Sequence, residues 1–148
     1  LSNPLRTSGD YELFLYTLTD QFPSVHRSTV TFIRRGATLA RVTGELYFDS
    51  DIRLVVRERL VYRSPPVVID WYGYEVWRGN KKLYWYDSQP HPSDPALQST
   101  DPHHKHIHPG IKHHRIPAPE MSFTQPNFPT LIHEIEALIN EIKGQSGE

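Results

Sequence analysis

The chain of 148 residues contains no cysteine. This excludes disulfides and every thiolate metal site, structural zinc fingers among them. It fits a reducing cytoplasm, where the protein is expected to act. Neither sign of charge is in excess: 16 Lys and Arg stand against 17 Asp and Glu, a net charge of -1. Bulk charge therefore excludes a basic nucleic-acid binder, and any RNA contact must come from a local patch. No apolar run approaches the roughly 18–20 residues of a membrane span. The opening LSNPLRTSGD lacks the basic and apolar pattern of a signal peptide. No membrane partner is expected. The remaining composition, 37% hydrophobic, suits one domain with an ordinary core over residues 1–148.

Histidine is abundant and concentrated. Six of the nine histidines lie between residues 103 and 115, in the run DPHHKHIHPGIKHHR. Imidazole is the only side chain whose unperturbed pKa lies near physiological pH. A cluster of imidazoles beside Lys105, Lys112 and Arg115 suits proton transfer, metal ligation or a phosphate-bearing partner. A stable core does not require it.

Periodicity gives an α+β order of elements. Tyr11, Phe14, Leu15, Leu18 and Phe22 mark one face of an N-terminal helix, with Ser8 or Asp10 as its cap and Pro23 as its end. About five strands follow, over 28–34, 38–48, 52–63, 67–78 and 82–87. The short links between them favour an antiparallel meander, since parallel strands need long crossovers. Residues 88–127 hold eight prolines and most of the histidines and read as one long, largely irregular loop, of a length that is usually functional or disordered. A C-terminal helix closes the chain. Its stripe Leu131, Ile132, Ile135, Leu138, Ile139 and Ile142 is expected to pack on one sheet face, with Asn127 as cap, Pro129 in the first turn and Gly144 as stop.

Within this frame several residues stand out. Strand 52–63 alternates Ile52, Leu54, Val56, Leu60 and Tyr62 with Arg53, Arg57, Arg59 and Arg63. Glu58 falls on the apolar side. There it must be paired, hydrogen-bonded or protonated, as a tuned acid or base or as a structural partner of Arg or Tyr. The arginines form either a phosphate-binding stripe or a solvated face. Tyr72, Tyr74, Tyr84 and Tyr86 alternate with Trp71, Trp77 and Trp85; one set is core, and the other either packs as core on the opposite face or stacks on bases. His104, His106 and His108, at every second position, could ligate zinc or nickel. Without metal, one imidazole would take a proton from a ribose 2′-hydroxyl while another protonates the leaving oxygen.

The order of motifs adds a resemblance. Gly44-Glu45-Leu46 precedes an Asp-Ser-Asp turn and then Arg57-Glu58. Next come Tyr72-x-Tyr74, Tyr86-Asp87-Ser88-x-Pro90-His91 and Pro102-His103-His104-Lys105-His106. Over about residues 10–142 this resembles the TumE family of prokaryotic toxin–antitoxin toxins, with Ser88 for the usual Asn and Pro92 where a second His often stands. The resemblance implies a toxin neutralised by a small antitoxin encoded beside it. By analogy with other small toxins it further implies a metal-independent endoribonuclease. Glu58, His91, His104 and His106 are then the expected acid–base residues. Arg57 and Lys105 are expected to hold phosphate, with Asp87, Tyr72, Tyr74 and Tyr86 as further substrate contacts. The 88–127 loop is expected to fold back and bring His104 and His106 towards both Glu58 and Asp87. The antitoxin should cover the basic, His-rich loop and the arginines of strand 52–63. The alternative from another class is a non-enzymatic module that binds a divalent metal or another ligand through the same loop.

Overall fold

An antiparallel meander carries most of the chain. The computed structural model describes residues 2–145. Two short N-terminal helices, α1 (Ser8–Tyr16) and α2 (Leu18–Gln21), precede the strands. These are β1 (Arg27–Ser28), β2 (Thr31–Arg35), β3 (Leu39–Tyr47), β4 (Ile52–Val61), β5 (Val68–Arg78) and β6 (Lys81–Asp87). Two further short strands follow, β7 (His104–His106) and β8 (Arg115–Pro117), and then helix α3 (Phe128–Gln145). The sheet runs β1-β3-β4-β5-β6-β7-β8, with β2 also paired to β3.

The sheet has eight strands and not about five, for two reasons. The expected strand over 28–34 divides into β1 and β2 on the same edge of β3. The division falls opposite Gly44, whose φ is +145° and where a Cβ would stand 2.5 Å from both Thr29 O and Val30 Cα. The backbones come too close there for any side chain. The second reason lies in the His- and Pro-rich segment, which is not irregular throughout. His104–His106 pairs with Trp85–Asp87, and Arg115–Pro117 pairs with His104–His106. The open edge of β6 gains backbone partners that it would otherwise lack.

The N-terminal helix also differs from expectation. Thr7, not Ser8 or Asp10, is its cap, its side chain accepting from Asp10 N. The helix breaks at Thr17, whose hydroxyl bonds back to Leu13 O, and α2 ends at Gln21, before Pro23. Tyr11, Leu15 and Leu18 are nevertheless buried together, as the spacing requires. In α3, Leu131, Ile132, Ile135 and Ile139 are buried, and Leu138 and Ile142 pack partly against the same core. Burial of each such aliphatic side chain stabilises the fold by roughly 1.5–3 kcal/mol. Asn127 does not cap α3 with its side chain, which instead donates to Tyr74 Oη and Ser122 O. The helix continues through Gly144 to Gln145.

Residues directly opposite in an antiparallel pair share a face, so the register sorts the sheet into two sides. One row runs Val42, Glu58, Tyr72, and the next runs Val56, Tyr74, Tyr86, Lys105. This is the side that the helices cover. The other side carries the row Thr43, Arg57, Gly73, Asp87, His104 and the row Glu45, Val55, Glu75, Trp85, His106, Arg115. Among the described residues no helix is long and apolar enough to cross a membrane.

Candidate active site

The side away from the helices gathers a histidine–carboxylate cluster and several arginines. At its centre, His104 Nε2 lies 3.0 Å from one oxygen of Asp87, and His106 Nε2 lies 3.3 Å from the other. The two Nε2 atoms are 3.2 Å apart. Backbone carbonyls fix both rings: His104 Nδ1 is 3.0 Å from Pro102 O and His106 Nδ1 is 2.9 Å from Ile111 O. A carbonyl only accepts, so each Nδ1 carries a proton and donates it. The inward-facing nitrogens are therefore both Nε2. Trp85 stacks on His106 with ring centroids 3.8 Å apart, which holds that ring from the other side. Both imidazoles are buried.

Asp87 sits at the end of β6, where the chain leaves the sheet. Burial pushes its carboxyl up, but the hydrogen bonds from His104, His106 and the Gln89 N–H outweigh this and hold it below the usual carboxylate range. It is therefore the anion of the centre. His91 leans edge-on against His104, ring centroids 4.8 Å apart. Burial and the neighbouring Arg115 guanidinium lower its pKa, which favours the neutral ring.

The basic residues lie beside this centre. A cavity of about 290 Å³ is lined by Arg41, Thr43, Arg57, Arg59 and Trp71. Glu58 meets it only from the strand, since its side chain is bonded on the other face. Gly73 separates this cavity from Asp87 along the row. A Cβ there would come within 3.4 Å of the Trp71 ring and 3.8 Å of the Arg57 guanidinium. This glycine is buried, with the Trp71 ring lying over it between guanidinium and carboxylate. Arg57 is held by Glu75 at 3.4 Å and Arg59 by Asp70 at 2.8 Å. Arg41 has no acidic partner among the described residues. Trp71, Trp77 and Trp85 are half-buried on this same side, whereas Tyr72, Tyr74 and Tyr86 are buried and Tyr84 half-buried on the other.

The expected site residues thus divide between the faces. Arg57, Asp87, His91, His104 and His106 come together. Glu58 does not join them. It is buried under the helices, accepting from Tyr11 Oη at 2.6 Å and Tyr74 Oη at 2.5 Å. Burial raises its pKa to about 7, against the lowering effect of the two phenols. Tyr72 also faces the helices, its hydroxyl 2.6 Å from His103 Nδ1. Tyr86 and Lys105 both bond Glu134 of α3, Lys105 Nζ at 3.0 Å. These contacts hold Tyr72, Tyr74, Tyr86 and Lys105 on the helix side, away from the imidazole pair. His108 is likewise apart, exposed and bonded to Lys82 O at 2.8 Å. Alternation alone grouped it with His104 and His106, but the strand ends at His106. Arg41, Gly73 and Arg115 were not singled out as site residues. A glycine within an aromatic-rich strand is the one signal that could have marked the close approach of the Trp71 ring to the strand.

The family model described as Toxin TumE matches residues 15–139 of the 148, and the chain belongs to this toxin family. No curated protein and no solved structure matches it.

Proposed function

We propose that this toxin is an endoribonuclease that binds single-stranded RNA on the side of the sheet away from the helices. The observation that carries the reading is the cross-strand row Arg57, Gly73, Asp87, His104. It sets a phosphate-binding guanidinium, a glycine covered by the Trp71 ring and an imidazole–carboxylate centre side by side. Arg41, Arg57 and Arg59 hold backbone phosphates, since the guanidinium fork matches phosphate geometry. Trp71 offers a ring for base stacking, which is tolerant of sequence.

The chemistry is transfer of a phosphodiester to the neighbouring ribose. One imidazole of the His91, His104 and His106 group takes the proton of the 2′-hydroxyl as that oxygen attacks phosphorus. The bond from phosphorus to the 5′-oxygen breaks, and a second imidazole of the group, protonated, returns a proton to that oxygen. The products are a 2′,3′-cyclic phosphate and a 5′-hydroxyl. Asp87 orients the pair and stabilises the imidazolium; the guanidiniums stabilise the crowded phosphate. No metal is needed, and DNA, which lacks the nucleophile, is spared. The antitoxin, encoded by a neighbouring gene, neutralises the toxin in the cytoplasm by covering this face with an acidic segment, an attraction that salt weakens.

The test is cleavage of total RNA by chelator-treated protein. Cleavage is expected in the presence of chelator, with DNA left intact. His104→Ala and His106→Ala should each lower the rate at least about 100-fold, the scale of general acid–base catalysis. Intact RNA under these conditions, while expression still arrests growth, overturns the ribonuclease reading.

A further inference from the structure

We infer that Asp87, His104 and His106 also form a binding site for one divalent transition-metal ion of the zinc class. The inference rests on the geometry of three ligand atoms and not on RNA being the substrate. The ligand atoms of these residues all lie within 4.8 Å of one another. Bonds of about 2.0–2.1 Å to a tetrahedral zinc ion place neighbouring ligand atoms about 3.3 Å apart. His104 Nε2 lies 3.0 Å from one oxygen of Asp87, His106 Nε2 lies 3.3 Å from the other, and the two Nε2 atoms are 3.2 Å apart. Each spacing is close to that of neighbouring zinc ligands, and the carboxylate offers the ion one oxygen or both.

The directions agree as well as the distances. With both Nδ1 protons given to Pro102 O and Ile111 O, both Nε2 atoms point inward. A metal ion between them takes the place of the protons through which the two rings bond Asp87. Backbone carbonyls on the far nitrogens are the support that metal-ligating histidines ordinarily have, fixing tautomer and ring orientation. Two imidazoles and one carboxylate also select for zinc, nickel or cobalt over calcium and magnesium, which prefer oxygen donors. The fourth position faces the side where Asp87 keeps 12% of its side chain exposed, next to His91. His108 is excluded from this site by its bond to Lys82 O, so Asp87 takes the place that a purely sequential His-x-His-x-His reading gives it.

The ion and the acid–base pair exclude each other, because an Nε2 bound to metal cannot carry a transferring proton. Metal-loaded protein is therefore expected to be inactive where the chelated protein cleaves RNA.

The experiment uses the full chain, purified without a metal-affinity step and stripped with chelator. It is titrated with Co²⁺, whose visible absorption reports coordination, and then with Zn²⁺. The expected result is one equivalent of Co²⁺ with the intense spectrum of a tetrahedral site, displaced by Zn²⁺. Affinity should fall at least 100-fold in His104→Ala, His106→Ala and Asp87→Asn. It should be unchanged when His108, His113 and His114 are all replaced by Ala, which removes loose chelation by the loop. Asp87→Asn keeps the side-chain oxygen that accepts from Gln89 N–H and so guards against mere unfolding. As a second measure, Zn²⁺ should raise the Tm of the wild-type protein and leave that of Asp87→Asn unmoved. Absence of binding overturns the inference, as does binding that survives in His104→Ala and His106→Ala or disappears in the triple loop variant. RNA cleavage is read in parallel. If RNA stays intact in both metal states while the tetrahedral spectrum appears, the ribonuclease reading fails and the metal site stands.

Discussion

Replacing Glu58 by Gln should stabilise the toxin in neutral and alkaline solution without disarming it. The carboxyl is buried beneath α1 and α3, with Tyr11 and Tyr74 as its hydrogen-bond partners and Asn127 donating to Tyr74 from behind. No cation contacts it among the described residues, so burial prevails over the phenols and lifts its pKa from 4.5 to about 7. Between these values the folded state binds a proton that the unfolded chain has released. The stability that Glu58 contributes is thus full below pH 4.5, declines as pH rises, and is lost above about pH 7. The interval corresponds to about 3 kcal/mol. Gln has the shape of the protonated acid and does not titrate. The unfolding free energy of Glu58→Gln minus that of the wild type should therefore rise by about 3 kcal/mol between pH 4 and pH 8. Urea denaturation followed by tryptophan fluorescence measures it, and the subtraction removes the other titrating groups. Glu58→Ala, which leaves both phenols without their acceptor, should be less stable than wild type at acid pH. A difference between Gln and Glu that stays flat with pH would refute the reasoning. Growth arrest should persist in Glu58→Gln, because its side chain lies on the opposite side of the sheet from the imidazole pair.

Three further outcomes are expected. Gly44→Ala should destabilise by at least about 3 kcal/mol in the same denaturation assay, since a Cβ meets Thr29 O and Val30 Cα at 2.5 Å and the φ of +145° already disfavours a side chain. Trp71→Ala should leave the protein folded, because the ring is only half-buried and lies outside the buried core. It should nonetheless weaken RNA binding at least about 10-fold by removing the ring offered for base stacking, a loss of roughly 1.4 kcal/mol measurable by fluorescence anisotropy. Arg41→Ala should reduce the slope of log affinity for single-stranded RNA against log salt by about 0.7, the signature of one lost phosphate contact. An unchanged slope would remove Arg41 from the RNA path.

Much of this arrangement follows from local rules that act within the sequence. The period-2 alternation in 52–63 by itself put Glu58 among the apolar residues and Arg57 and Arg59 opposite, because successive strand side chains must point to opposite faces. The 3.6-residue stripe of the C-terminal helix fixed which of its sides is buried. The clustering of imidazoles marked the segment that supplies two members of the candidate centre, His104 and His106. What the sequence could not decide was which face of the sheet those imidazoles would join. That depended on the pairing of β7 with the edge of β6, a contact between segments separated by the turns of residues 88–103. With Asp87 opposite His104, the even-numbered histidines share the face of Asp87 and Arg57, and Lys105 goes to the helices. A slip of one residue would have put His103 and Lys105 beside Asp87 and buried His104 and His106 under α3. The composition of the site was thus written locally. Its assembly rested on a register set by long-range backbone hydrogen bonds, in which Pro102 O and Ile111 O orient the rings and Trp85 holds one of them in place.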